Sequence, residues 1–168
     1  LTDTIKCSDE NISKIMKNAT DILNRDNGKN PYFVHEELQN IMQKYVGIVR
    51  MKEELQNGLE KLDVIKTDIE QAYAHASAQY NPGWNEALDL KNLIVTAEAV
   101  TRSALLREES RGAHTRLDFE GEKTEGLNYN IVIKKTETGM TAKKIERKSP
   151  PKELANIAHA SLEDLERE

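Results

Sequence analysis

The sequence predicts a mainly α fold: an antiparallel bundle of three to four helices with a small C-terminal β-hairpin and a short helical tail. Three observations lead there. Apolar residues recur at steps of three and four through four segments before Gly112. Turn-forming clusters around Gly28, Gly47 and Asn81-Pro82-Gly83 separate those segments. Past residue 128 the period drops to two, and Ser149-Pro150-Pro151 ends that pattern. Residues 1–112 are therefore expected to form the bundle, and residues 113–168 a loop, hairpin and tail packed on it.

The first helix is expected over residues 8–25. Ser8 is a good N-cap, and Asp9 and Glu10 put negative charge where the helix dipole favours it. Ile12, Ile15, Met16, Ala19, Ile22 and Leu23 make its apolar stripe, and Asp26-Asn27-Gly28 stops it. A second helix is expected over 33–46, with Pro31 near its start and Val34, Leu38, Ile41, Met42 and Tyr45 on one face. The third and longest is expected over 51–78, its stripe running from Leu55 to Ala72 and Ala76. Its internal Gly58 costs about 1 kcal/mol relative to alanine. Asn81-Pro82-Gly83 reads as a turn before a fourth helix over 85–109, whose apolar face is broad and carries small residues at Ala97, Ala99 and Ala104. Residues 113–127 have no period and read as a loop. Tyr129, Ile131 and Ile133 alternate with Asn130, Val132 and Lys134 as in a strand, and Glu137-Thr138-Gly139 turns the chain toward a second strand over 140–147. Residues 152–166 make the helical tail, with Leu154, Ile157, Ala158, Leu162 and Leu165.

Composition narrows the function. The chain of 168 residues has 38% hydrophobic and 32% charged residues, with two Phe and one Trp, so its core is built mainly from aliphatic side chains. A net charge of −5, with Lys and Arg scattered, argues against nucleic-acid binding. No apolar run approaches the ~20 residues of a membrane span, and the start lacks a secretory pattern. The lone Cys7 cannot form an internal disulfide and fits a reducing compartment. The sequons at Asn11 and Asn18 fall in a helical pattern and read as chance. The chain begins with Leu1 rather than Met, which fits an excised domain or a processed product.

Chemistry-bearing patterns are sparse. His35, His75, His114 and His159 have no partner at metal-ligand spacing, and no glycine-rich phosphate loop follows a strand. No serine or cysteine has a base placed beside it. No residue is therefore expected to be catalytic, cofactor-binding or metal-ligating. Two stretches carry information. Glu108-Glu109-Ser110-Arg111-Gly112-Ala113-His114-Thr115-Arg116-Leu117-Asp118-Phe119 gathers cations, carboxylates and a histidine around one glycine at a helix end. It reads either as an anchoring element, with Arg111 and Arg116 gripping carboxylates, or as a helix terminus whose Arg and His side chains meet the last carbonyls and nearby acids. Tyr80-Asn81-Pro82-Gly83-Trp84-Asn85 reads either as a tight turn closed by Trp84 or as part of a docking surface.

Together these stretches carry a family resemblance. YNPGWNEALDLKNLIVTAEAVTRSALLREESRGAHTRLDF, residues 80–119, resembles the C-terminal domain of succinate dehydrogenase and fumarate reductase flavoprotein subunits. HEELQNIMQKYVGIVR (35–50) and YNIVIKKTETGMTAKKIERKSPPKEL (129–154) are similar to neighbouring segments of that family, so the resemblance spans about residues 10–160. The ESRGAH-x-R core is shared with L-aspartate oxidases, which stay open as an alternative, as does a stand-alone helical adaptor. The NPGWN-x-ALDL segment and the tail favour succinate dehydrogenase.

The resemblance implies an oxidoreductase whose FAD is bound outside these residues. They lack the dinucleotide fingerprint, the flavin-linking His motif and the Asn-Arg-Leu-Gly substrate segment of the family. It implies as partners an iron–sulfur subunit, together with the flavin-binding and capping domains of the flavoprotein itself. The location implied is cytoplasmic, peripheral on the inner face of the cell membrane through partner subunits. For Trp84, Arg111, His114 and Arg116 it implies interface or docking roles, and for the chain alone no activity.

Overall fold

A computed structural model describes residues 8–161. The expected Cys7, Leu162 and Leu165 lie outside them. Five α-helices, two short parallel strands and one hairpin follow in the order α1 (Asp9–Thr20), α2 (Pro31–Val46), β1 (Val49–Arg50), α3 (Lys52–Glu70), α4 (Pro82–Leu106), β2 (Thr115–Arg116), β3 (Tyr129–Thr136), β4 (Gly139–Glu146) and α5 (Lys152–His159), with 3-10 turns at Asp21–Asn24 and Thr124–Leu127.

The core is a bundle of α2, α3 and α4. Val34, Leu38 and Ile41 meet Leu62, Ile65 and Ile69 and, from α4, Ala87, Leu90 and Ile94. These are the stripes that helical spacing marks out, because apolar residues at such steps share one helix face. Gly58 has a packing reason. A Cβ there would stand 3.1 Å from the Tyr45 side chain, so glycine lets α2 and α3 approach.

α1 departs from expectation. Its Ser8 cap holds, with the hydroxyl accepting from Asn11 N–H at 3.2 Å, yet none of its residues is buried, and Ile12, Ile15 and Met16 face solvent. Nothing among the described residues covers that stripe. Ile22, in the following 3-10 turn, is buried and returns the chain to the core.

α3 ends at Glu70, eight residues earlier than its periodicity suggests. Alanines at 72, 74 and 76 keep helical propensity, but the backbone is claimed elsewhere. Lys29 N–H donates to the Gln71 carbonyl at 3.0 Å, Tyr73 N–H to the Lys29 carbonyl at 3.2 Å, and Ala74 N–H to the Ile22 carbonyl at 3.2 Å. Arg25 donates to the Ala72 carbonyl. Gly28 makes this approach possible, since a Cβ there would lie 2.2 Å from the Gln71 carbonyl oxygen.

α4 starts three residues before the expected position. Asn81 is its N-cap, accepting from Trp84 N–H at 2.9 Å, and Pro82 occupies the first turn, where a missing N–H costs nothing. The helix stops at Leu106, leaving Glu108 and Glu109 outside. The hairpin runs in register from Tyr129↔Glu146 to Thr136↔Gly139 and lies against α4. Tyr129, Ile131 and Ile133 take its more buried face, as alternation requires. Residues 113–127 hold a feature their pattern does not announce: β2 pairs in parallel with β1, Val49 opposite Thr115 and Arg50 opposite Arg116. No helix among the described residues is long and apolar enough to cross a membrane.

Candidate functional site

Past Leu106 the chain folds back on the C-terminal end of α4. Arg111 and His114 exchange backbone hydrogen bonds at 2.9 and 3.0 Å, closing a two-residue turn. Gly112 takes the first central position with φ +57°, which a Cβ-bearing residue resists. The Ser110 hydroxyl ties the two strands of this turn, accepting from Arg116 N–H at 2.8 Å and facing the carbonyls of Arg116 and Phe119.

Arg116 points inward. Its side chain is wholly buried, and its Nη1 donates to the carbonyls of Ala104, Leu105 and Arg107 at 2.9–3.2 Å. Those carbonyls belong to the end of α4, where a helix has no further N–H to offer and where its dipole favours a cation. Nε and Nη2 form a fork on Asp118, both at 2.8 Å. Asp118 accepts in turn from Lys52 N–H at 3.1 Å, at the start of α3. Met51, the N-cap of α3, has no side-chain oxygen to offer, so a carboxylate 66 residues away completes that end. One ion pair thus joins the C-terminus of α4 to the N-terminus of α3. The fork from Arg116 is the main cause that holds the Asp118 carboxyl at about 2; burial opposes it and the Lys52 N–H assists.

Glu109 is the second hub, 1% exposed. It accepts from Arg107, from Arg111 Nη2 at 3.1 Å and Nε at 3.2 Å, and from Lys123 N–H at 3.0 Å. Burial pushes its carboxyl up, but the donors from Arg111, Lys123 and Arg107 outweigh it and hold the value at about 2. Gly126 leaves room for this carboxylate, because a Cβ there would sit 2.1 Å from Glu109 Oε1. Arg111 also reaches Glu122 at 2.8 Å and the Lys123 carbonyl at 3.0 Å, and stays partly exposed.

His114 lies between cations. Burial first, then the charges of Arg50, Arg116 and Arg107, push its pKa below the usual histidine value, against its bond to the Arg107 carbonyl. The neutral ring donates through Nε2 to that carbonyl at 3.1 Å and presents Nδ1 to Arg50 Nη1. Arg50 reaches this place because β1 pairs beside β2, and its Nε donates to the carbonyls of Val46 and Gly47. Trp84 sits at the other end of the bundle, half-buried against the core, its Nε1 donating to the Ala19 carbonyl at 2.8 Å.

The structure therefore brings Arg111, His114 and Arg116 into one cluster and leaves Trp84 apart from it. It adds Arg50 and Arg107, which sequence reasoning did not single out, and Glu109 and Asp118, which it named only within the charged stretch. One signal was available for part of this set. Arg107, Glu109 and Arg111 alternate, so an extended segment places all three on one side. Chemically most of the cluster is paired within itself, with Arg50 alone of its four arginines lacking a carboxylate among the described residues. Both ring nitrogens of His114 are engaged, no buried side-chain polar atom among the described residues lacks a partner, and no group of three or more potential metal ligands occurs there.

With this geometry established, comparison with known proteins decides the family. The model of the fumarate reductase flavoprotein C-terminal domain matches residues 35–155. The chain belongs to that family. An uncharacterised FAD-dependent oxidoreductase of Methanocaldococcus jannaschii is 36% identical over 127 residues, which is 76% of this chain and 22% of that protein. A fumarate reductase (CoM/CoB) polypeptide of Methanothermobacter marburgensis is 34% identical over 113 residues, 67% of this chain and 21% of that protein. Among solved structures, Mycobacterium smegmatis Sdh1 in complex with UQ1 superposes with a TM-score of 0.88 at 28% identity, over 99% of this chain and 28% of that one. The chain thus spans about a fifth of the curated relatives it matches. The family match over residues 35–155 takes in most of the three-helix core and the whole hairpin.

Proposed function

We propose that residues 1–112 and 113–168 form one domain of a larger flavoprotein that interconverts succinate and fumarate. FAD sits in other domains of that flavoprotein, and electrons pass through an iron–sulfur subunit to quinone. Nothing among the described residues fits a flavin. Parallel pairing there amounts to two register pairs of β1 with β2 and an isolated bridge between Lys29 and Ala72, and no glycine-rich turn joins a strand to a helix. The role of this chain is to brace and dock. Arg111 and His114 offer the partly exposed rim of the cluster, and Arg116 holds its shape from inside. Trp84 anchors the opposite end. The enzyme lies on the inner, cytoplasmic face of the cell membrane through partner subunits.

The observation that carries this reading is that nearly the whole chain superposes on 28% of Sdh1. Its test is expression of the complete reading frame. Flavin absorbance and succinate–fumarate turnover are expected there, and neither in the 168-residue chain. Yellow flavin retained by the short chain refutes the reading. An intact protein that oxidises L-aspartate instead changes the substrate and keeps the architecture. Arg111→Ala in the complete enzyme is expected to loosen the association between domains or subunits more than it lowers thermal stability.

A further inference from the structure

Helix α4 has one buried line and, beside it, a half-exposed line that carries Leu93 and Val100. Leu90, Ile94, Ala97, Thr101 and Ala104 are buried in the bundle. Leu93, Thr96, Val100, Ser103 and Arg107 recur at steps of three and four on the neighbouring line and span about 21 Å of helix. Leu93 remains 37% exposed and Val100 41%. Two hollows meet at Val100. One, of about 290 Å³, lies between α4 and α2, with Leu38 and Met42 in its wall. The other, of about 460 Å³, is flanked by Ile131 and ends at Arg50, Arg107 and His114. The result is an apolar groove with a cationic end.

The charge at that end is unbalanced. Arg107 is paired with Glu109. Arg50 donates only to the carbonyls of Val46 and Gly47 and to the neutral ring of His114, and no carboxylate among the described residues forms an ion pair with it. Ser103, half-buried in the wall of the same hollow, likewise makes no side-chain hydrogen bond among the described residues. A guanidinium with an open edge next to an apolar wall is complemented by a carboxylate on a hydrophobic stem, since forked N–H donors match its two oxygens.

We propose that this groove seats an apolar segment from the other domains of the flavoprotein, with one Asp or Glu carboxylate held by Arg50 beside Ser103. The inference rests on the functional reading above, which supplies those domains. Charge complementarity selects the occupant: the groove takes an apolar chain, and its closed end takes one negative charge. A segment covering 21 Å needs about six extended residues or four helical turns.

The test is thiol protection in the complete, flavin-containing protein, in a Cys7→Ser background, with labelling read at residue 100 by peptide mapping. Val100→Cys is labelled with a small maleimide under native conditions and in denaturant. A residue 41% exposed reacts nearly as fast in both. A covered one is slowed about a hundredfold in the native protein. Adding Ser103→Asp, which supplies a carboxylate to Arg50 and repels the incoming one, is expected to raise native labelling about tenfold, whereas Ser103→Asn leaves it unchanged. Arg50→Gln is expected to act as Ser103→Asp does, and Arg50→Lys weakly. Native labelling of Val100→Cys at the denatured rate, in protein that holds flavin and turns over, overturns the inference and leaves the functional reading standing. So does protection that neither Ser103→Asp nor Arg50→Gln relieves. Protection that disappears as the protein dissociates on dilution assigns the groove to a second copy and also overturns it.

Discussion

Replacing Glu109 with glutamine removes one negative charge from a site that is 1% exposed and keeps the side chain's size. The structure sets the magnitude. The carboxylate accepts from Arg107, from two nitrogens of Arg111 and from the Lys123 N–H, and its pKa falls from 4.5 to about 2. A drop of that size corresponds to roughly 3 kcal/mol, which solvent around the partly exposed Arg111 reduces to about 2–3 kcal/mol. The sign follows from the depressed value. Stability from this group is fully present above the unfolded pKa near 4.5 and disappears as pH falls toward 2. Glu109→Gln is therefore expected to lower Tm by about 5–10 °C at pH 7, given 2–4 °C per kcal/mol for a chain of this size. The assay is urea denaturation of both proteins from pH 7 to pH 2.5. The stability gap should be flat above about pH 5 and narrow below it. Asp118 titrates in the same range but is present in both proteins, so it cancels in the difference. A gap that stays constant down to pH 2.5 would show that the glutamine acts through shape or unfolded-state effects, and the charge argument would be wrong.

Arg116→Lys is expected to cost about 3 kcal/mol, read as a fall in the urea midpoint, because one ammonium cannot serve both the Asp118 fork and the α4 carbonyls. Gly126→Ala is expected to cost about 1–3 kcal/mol, since its Cβ displaces the Glu109 carboxylate; the loss should largely vanish in a Glu109→Ala background, where no carboxylate fills that space. Trp84→Phe deletes the bond to the Ala19 carbonyl and is expected to cost about 1 kcal/mol, with faster amide exchange in α1 than in α3.

Much of the scaffold was legible in the residue pattern because it depends on local spacing. Val34, Leu38 and Ile41 share a helix face whatever surrounds them, Leu90 and Ile94 lie one turn apart on another, and alternation from Tyr129 to Ile133 makes a strand. Where spacing was silent, contacts distant in sequence decided. The alanines after Glu70 would extend α3, but hydrogen bonds to Ile22 and Lys29 draw their backbone away. The stripe of α1 announces burial, yet nothing among the described residues covers Ile12, Ile15 or Met16.

The charged segment shows the same boundary most clearly. Its residue types alone mark Arg111, His114 and Arg116 as grouped around a helix end, since they follow the apolar stripe of α4 within ten residues of its last turn. Which of them turns inward cannot be read from order along the chain. Arg116 is buried because β1 and β2 pair, which carries Lys52 N–H to Asp118 and leaves the guanidinium facing the α4 carbonyls. Helical and strand periods are properties of neighbouring residues. A cap supplied from 66 residues away, or a neutral histidine held by Arg50, exists only after the chain has folded and brought the partners together.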